Sequence, residues 1–226
     1  MINENSKLVA IIPVRKGSQR VKNKNIKPFG DTNLLELKIR VLKKVENIEK
    51  IIVNTDSYEM AEIARNNDCE VIIRDGYYAS SNINNADYWE YLAKSIKEEC
   101  FILCQVTSPF VKVSTYKKAI KLFLEGTYDS INSVSVEKKF LWKDSRPINY
   151  DYDHTPKSQD LDKIISLNFG ITVVNRELLE KNKNLVLKNR LFIELDKVES
   201  LDIDDEFDFE VAEYLYNKYG EGLIDD

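Results

Sequence analysis

Residues 7–25, KLVAIIPV running into RKGSQRVKNKN, set the reading of the whole chain. The first eight are apolar almost throughout, which suits a short buried strand. The eleven that follow are polar, contain Gly17 and Ser18 and carry five cations: Arg15, Lys16, Arg20, Lys22 and Lys24. A loop of this kind after a strand can offer backbone N–H groups and positive charge to a phosphate chain. It matches neither the P-loop pattern nor the G-x-G-x-x-G dinucleotide fingerprint. Taken locally it is equally a solvated basic loop, and its place in the chain has to decide.

Outward from that loop, apolar runs and helical periodicities alternate. NLLELKIRVLKKVENI (33–48) spaces Leu34, Leu37, Val41 and Val45 as one helix face, and KIIVNTD (50–56) reads as a strand. SYEMAEIARNND (57–68) is a helix with Ser57 as its expected N-cap. CEVIIRD (69–75) is a strand, NNADYWEYLAKSIKEE (84–99) a helix and FILCQVTSP (101–109) a strand stopped by Pro109. VSTYKKAIKLFLEG (113–126) closes the series as a helix ending near Gly126. The alternation predicts an α/β domain around a largely parallel sheet flanked by helices. Ligands of such sheets bind beyond the carboxyl ends of the strands. That places residues 15–25, 54–56, 74–85 and 105–110 under suspicion and shifts the basic loop toward anion binding.

After DSINSVSVE (129–137) the alternation weakens. Residues 138–159, KKFLWKDSRPINYDYDHTPKSQ, are either a floppy surface loop or an arm that packs on a partner. Phe140, Leu141, Trp142, Tyr150 and Tyr152 make a poor solvent face. Order returns with IISLNFGITVV (164–174), RLFIELD (190–196) and a final helix, DEFDFEVAEYLYNKY (205–219). The expected organisation is one domain, residues 1–226, with an inserted arm at about 138–159.

Composition narrows the chemistry. The chain has 226 residues, 43% hydrophobic and 31% charged, with a net charge of −5. That is a soluble globular balance with enough length for a full core. A mildly acidic chain argues against sequence-independent nucleic-acid binding. No apolar run reaches membrane-spanning length, and the N-terminus lacks the basic and apolar regions of a signal peptide, so a cytoplasmic protein is expected. With His154 the single histidine and Cys69, Cys100 and Cys104 the only thiols, no standard zinc spacing exists. Catalysis has to come from carboxylates, cations and backbone amides. SLDIDD (200–205) supplies the carboxylates: if LDID ends a strand, Asp202 and Asp204 share one face, beside a core reached by Leu201 and Ile203. Two such oxygen ligands suit Mg²⁺, which also takes waters and phosphate oxygens, whereas Asp204 or Asp205 can instead cap the final helix.

These segments, in this order, resemble the CMP-acylneuraminate synthetases, cytidylyltransferases that activate sialic acid and related nonulosonates with CTP. The matching stretches are IIPVRKGSQRVKNKN, VNTD, residues 74–85, LCQVTSPF, residues 168–170 and LDIDDEFDFEVAE, spread over essentially the whole chain. The resemblance implies a nucleotide-diphosphosugar-transferase-like fold and a homodimer joined through the 138–159 arm. It implies that Arg15, Gly17, Ser18 and Lys24 hold the CTP triphosphate and that Asn25 faces the cytosine. Arg74 and Asn84 or Asn85 would complete the nucleotide pocket, Gln105 would contact the acceptor, and Asp202 and Asp204 would hold Mg²⁺. Lys157 and Gln159 fall in a segment that helps bind the acidic sugar.

The chain also departs from the family pattern. Gln19 stands where a lysine is usual, with Arg20 next to it as a substitute charge. Val111 replaces an arginine, Lys157-Ser158 replaces the arginine expected before Gln-x-Leu, and Asn-Gly has become Asn168-Phe169-Gly170. Relatives of the family also act on acceptors carrying a phosphate or phosphonate. Two other classes remain beside cytidylyl transfer. A glycosyltransferase would release free nucleotide diphosphate, although its Asp-x-Asp motif usually lies mid-chain. A non-catalytic nucleotide-binding protein would bind CTP without turnover.

Overall fold

The computed structural model describes residues 8–225. Lys7, at the head of the first apolar run, and the N-terminal residues read for a signal peptide lie outside them. The first half winds as the alternation predicts. Strand β1 (Leu8–Pro13) leads through the basic loop to a two-residue ribbon, β2 (Pro28–Phe29) with β3 (Thr32–Asn33), and then to α1 (Leu34–Lys43). The Asn33 side chain caps α1 by accepting from the Glu36 N–H. Next come β4 (Ile48–Thr55), α2 (Tyr58–Asn66) and β5 (Glu70–Ile73), with Ser57 capping α2 as expected. A short α3 (Gly76–Ala79) precedes α4 (Asn85–Ser95), β6 (Cys100–Leu103) and α5 (Val113–Leu124).

The second half contains β7 (Ser130–Glu137), the hairpin β8 (Trp142–Lys143) and β9 (Arg146–Pro147), and β10 (Ile164–Asn175). It ends with α6 (Arg176–Asn182), β11 (Arg190–Glu194) and α7 (Glu206–Tyr219). The main sheet has seven strands in the order β11-β7-β10-β6-β1-β4-β5. Its pairings are parallel except those of β10, which runs antiparallel to both β6 and β7. The expected largely parallel sheet is therefore present, with one reversed strand. One apolar cluster, built around Ile12, Leu37, Ile102, Tyr116 and Phe209, packs α1, α5 and α7 against the sheet. Another joins Ile11, Leu92, Leu103 and Leu179 under α4 and α6. From β1 the chain order runs to β4 and β5 on one side and to β6 on the other. The crevice at this switch point is where such sheets bind ligands.

Three local readings change. Strand β6 stops at Leu103, so Gln105–Pro109 is a connection and not a strand end. LDID is likewise no strand: residues 201–204 lie outside the sheet, tied by the Ile203 N–H to the Thr107 carbonyl at 2.8 Å. The 138–159 segment has defined structure. Asp144 and Ser145 both have positive φ, the two-residue turn geometry that matches strand twist. Buried Asn149 pins the base by accepting from the Leu141 N–H and donating to the Lys139 carbonyl. Ring contacts link Trp142 to Tyr150 and Tyr152, and Phe140 to Tyr150.

Candidate active site

The basic loop leaves β1 at the switch point and is held by short local contacts. Gly17, at φ +81°, supplies a left-handed turn that a side chain would strain. Asp56, just after β4, accepts from the Lys16 N–H at 2.8 Å. The 54–56 segment thus holds the glycine loop. Arg15 donates to the Ala79 carbonyl at 2.9 Å, and Asn25 turns its amide inward to the Arg15 carbonyl at 3.2 Å.

Lys24 crosses from this loop to the acidic segment. Its Nζ donates to the Ile203 carbonyl at 2.5 Å. Burial lowers its pKa, opposed by the negative charges of Asp202 and Asp204. Asp202 is exposed to solvent, yet the protein around it raises its pKa by desolvation, opposed first by a hydrogen bond from the Thr107 hydroxyl. Asp204 is ion-paired with Arg20 at 2.7 Å. Asp205, not Asp204, caps α7, in a capping box with Asp208. Asp204 is therefore released from the capping role that the sequence left open. Among the described residues no three His, Cys, Asp or Glu side chains converge on one metal position. A pair of carboxylates already facing Arg20 and Lys24 nevertheless fits a hard cation that completes its shell with water and phosphate oxygens.

Three adjoining clefts share Gln105. One of about 430 Å³ runs between Arg15, Ser18, Arg20, Lys24, Asn25, Thr107 and Asp204. A second, about 370 Å³, is lined by Arg15, Arg74, Tyr78, Ser80, Asn85 and Trp89. The third, about 510 Å³, holds Asn85, Trp89, Thr107, Asn168, Phe169, Lys183 and Asp202. The fold thus gathers most of the sequence candidates. Asn84 and Asn85 separate: Asn84 spends its side chain capping α4, whereas Asn85 faces two clefts. Arg74 is buried, donates twice to Asn54 and lies over the Tyr88 ring at 4.7 Å, so it braces the pocket wall.

Gln159 is not brought to this crevice. It lines a separate cleft of about 840 Å³ at the base of the arm, with Lys138, Lys163 and Lys197, and exposed Lys157 lies just before it. Trp89 and Lys183 are lining residues that sequence reading did not select, and Phe169 entered it only as a departure from the family pattern. Trp89 reads as one more apolar helix position. Phe169 and Lys183 share a left-handed backbone, at φ +51° and +54°.

A cation loop and a carboxylate pair thus face each other at the switch point of the sheet. Among solved structures, CMP:2-keto-3-deoxy-manno-octonic acid synthetase complexed with CTP has this fold, with a TM-score of 0.70 at 12% identity, over 94% of this chain and 99% of that one. The cytidylyltransferase family matches residues 9–157, and the chain belongs to it. It is 30% identical to the N-acylneuraminate cytidylyltransferase of Escherichia coli, over 97% of this chain but 54% of that protein. The chain thus spans about half the length of that relative. It is 25% identical to the CMP-N,N'-diacetyllegionaminic acid synthase of Legionella pneumophila, over 96% of this chain and 100% of that one. Among the described residues no helix is long and apolar enough to cross a membrane.

Proposed function

We propose that this protein transfers CMP from CTP to a nonulosonic acid of the sialic or legionaminic type, releasing pyrophosphate and supplying an activated sugar for surface glycans. The observation that carries the reading is the meeting of the Arg15–Asn25 loop, Gln105 and the Asp202/Asp204 pair around one crevice. Relatives named for N-acylneuraminate and legionaminic acid support the acceptor class.

In the reaction an acceptor oxygen bonds to the α-phosphorus of CTP as the bond to the β-phosphate oxygen breaks. Catalysis of this kind is positioning plus charge neutralisation. Arg15, Lys24 and the amides around Gly17 and Ser18 hold the polyphosphate and neutralise the departing pyrophosphate. Asn25, Arg74 and Asn85 shape the nucleoside side, and Gln105 faces the acceptor. Asp202 and Asp204 hold Mg²⁺, which when bound offsets phosphate charge. Residues 8–225 form one catalytic domain with a protruding arm, which works as a homodimer through that arm and acts in the cytoplasm, where CTP is available.

A phosphate- or phosphonate-bearing acceptor is the second reading. Val111, where relatives of this kind usually place an arginine, is a buried core side chain and offers no charge to either acceptor. A phosphate or phosphonate is already anionic, whereas a sugar hydroxyl must release its proton to solvent or a base. Incubation with CTP, Mg²⁺ and an acceptor panel, scored by pyrophosphate release, decides. Turnover with sialic, legionaminic or pseudaminic acid is expected; silence with all three and turnover with a phosphonate would replace the first reading by the second.

A further inference from the structure

Lys38 is fully buried on the core face of α1, between Leu34, Leu37 and Leu42. A lysine there is costly, because an amine loses its hydration and only hydrogen bonds can replace it. Its two partners both lie outside α1. The Nζ donates to the Ser108 carbonyl at 2.7 Å and meets the Tyr116 hydroxyl of α5 at 2.8 Å. Cys104, at the start of the same connection, is also fully buried and contacts the Tyr116 hydroxyl.

The connection that Lys38 grips carries the centre of the site. Gln105 faces all three clefts. Thr107, the residue before Ser108, holds the acidic segment twice: its hydroxyl bonds Asp202 and its carbonyl receives the Ile203 N–H. The Ile203 carbonyl in turn receives Lys24. A continuous path therefore joins Lys38, the Ser108 and Thr107 backbone, the acidic pair and the basic loop. A leucine or methionine at position 38 would fill the same space without desolvating an amine, so packing alone does not account for the residue.

We propose that Lys38 is a positioning residue, clamping the Ser108 carbonyl so that Thr107 presents Asp202 and Ile203 in the geometry the site requires. The clamp is a property of the ligand-free chain; its consequence for Mg²⁺ rests on the cytidylyltransferase reading above.

The test compares wild type with Lys38→Met, which keeps the volume and removes the donors. Hydrogen exchange of the ligand-free proteins is followed by Mg²⁺ titration of CTP binding by calorimetry. In folded Lys38→Met, exchange at Ile203 and across residues 105–110 should quicken at least about tenfold, with β1 unchanged, and half-saturation by Mg²⁺ should rise several-fold. Unchanged protection at Ile203, or equal acceleration in β1, would overturn the clamp. If Lys38→Met fails to fold, Tyr116→Phe decides: it keeps the Ser108 bond but frees the amine on one side. It should quicken the same amides by about threefold, and no local change there would overturn the proposal. A wild type that binds no CTP with Mg²⁺ would defeat the functional reading, while the exchange data would still judge the clamp.

Discussion

Lys38 and Asp204 show how differently one charged residue acts when buried and when open to solvent. Burial lowers the Lys38 pKa from 10.5 to about 8, with Tyr116 and Cys104, both raised by the same burial, as its titratable neighbours. A lysine depressed in the folded state keeps its full contribution above pH 10.5 and loses it as pH falls to about 8. The stability difference between wild type and Lys38→Met should therefore shift toward wild type by roughly 3 kcal/mol as pH rises across that window. Urea denaturation of both proteins at pH 7 and pH 10.5 measures it, and a difference independent of pH would rule it out. Asp204 lies at the surface, paired with Arg20, and an exposed pair of this kind adds little stability. Asp204→Asn should leave the thermal midpoint nearly unchanged and cut turnover by roughly 100-fold, the scale of losing one preorganised electrostatic group. Near-normal Mg²⁺-dependent pyrophosphate release from that variant would remove Asp204 from the site.

At the scale of elements, caps and connections matter more than strand lengths. Asp205 satisfies the start of α7 through reciprocal bonds with Asp208. Asp205→Ala should cost about 1 kcal/mol, a fall of roughly 2–4 °C in thermal midpoint for a chain of this size. Scanning calorimetry would show it, and an unchanged midpoint would mean the cap is replaced by water. The same helix start illustrates what could be read beforehand. Asp-Glu-Phe-Asp announces a capped helix because the cap is local chemistry. The placement of residues 201–204 off the sheet was not readable, because their partner, the Thr107 carbonyl, lies almost a hundred residues away. Alternating apolar and acidic residues in LDID imitate a strand, and only long-range packing decides between ladder and isolated anchor. Lys38 was hidden for the same reason: periodicity marks its neighbours as core and treats any lysine as solvent-facing.

For the whole molecule, the arm is the part whose sequence carried two meanings, and the fold narrows them. Phe140, Trp142, Ile148 and Tyr152 are exposed on a hairpin whose base is pinned by Asn149, and Ile165 and Leu167 of β10 are exposed as well. Exposed Asp144 and Ser145 at the tip could be read as a turn, but the edge-to-face contacts between rings of the arm depend on pairings that sequence order does not display. Holding aromatic rings in water on a fixed scaffold removes most of the ordering cost of association. On the proposed reading these rings form the dimer contact, with Trp142 as its anchor. Wild type should sediment as a dimer at micromolar concentration. Trp142→Glu combined with Tyr152→Glu should give a folded monomer, since neither ring supports the core. A central tryptophan is worth about 2 kcal/mol or more, so dissociation should be at least roughly thirtyfold easier from that change alone. Sedimentation velocity across a concentration series tests this. A double variant that stays dimeric would move the contact elsewhere, and a monomeric wild type would end the role of the arm as a dimer contact.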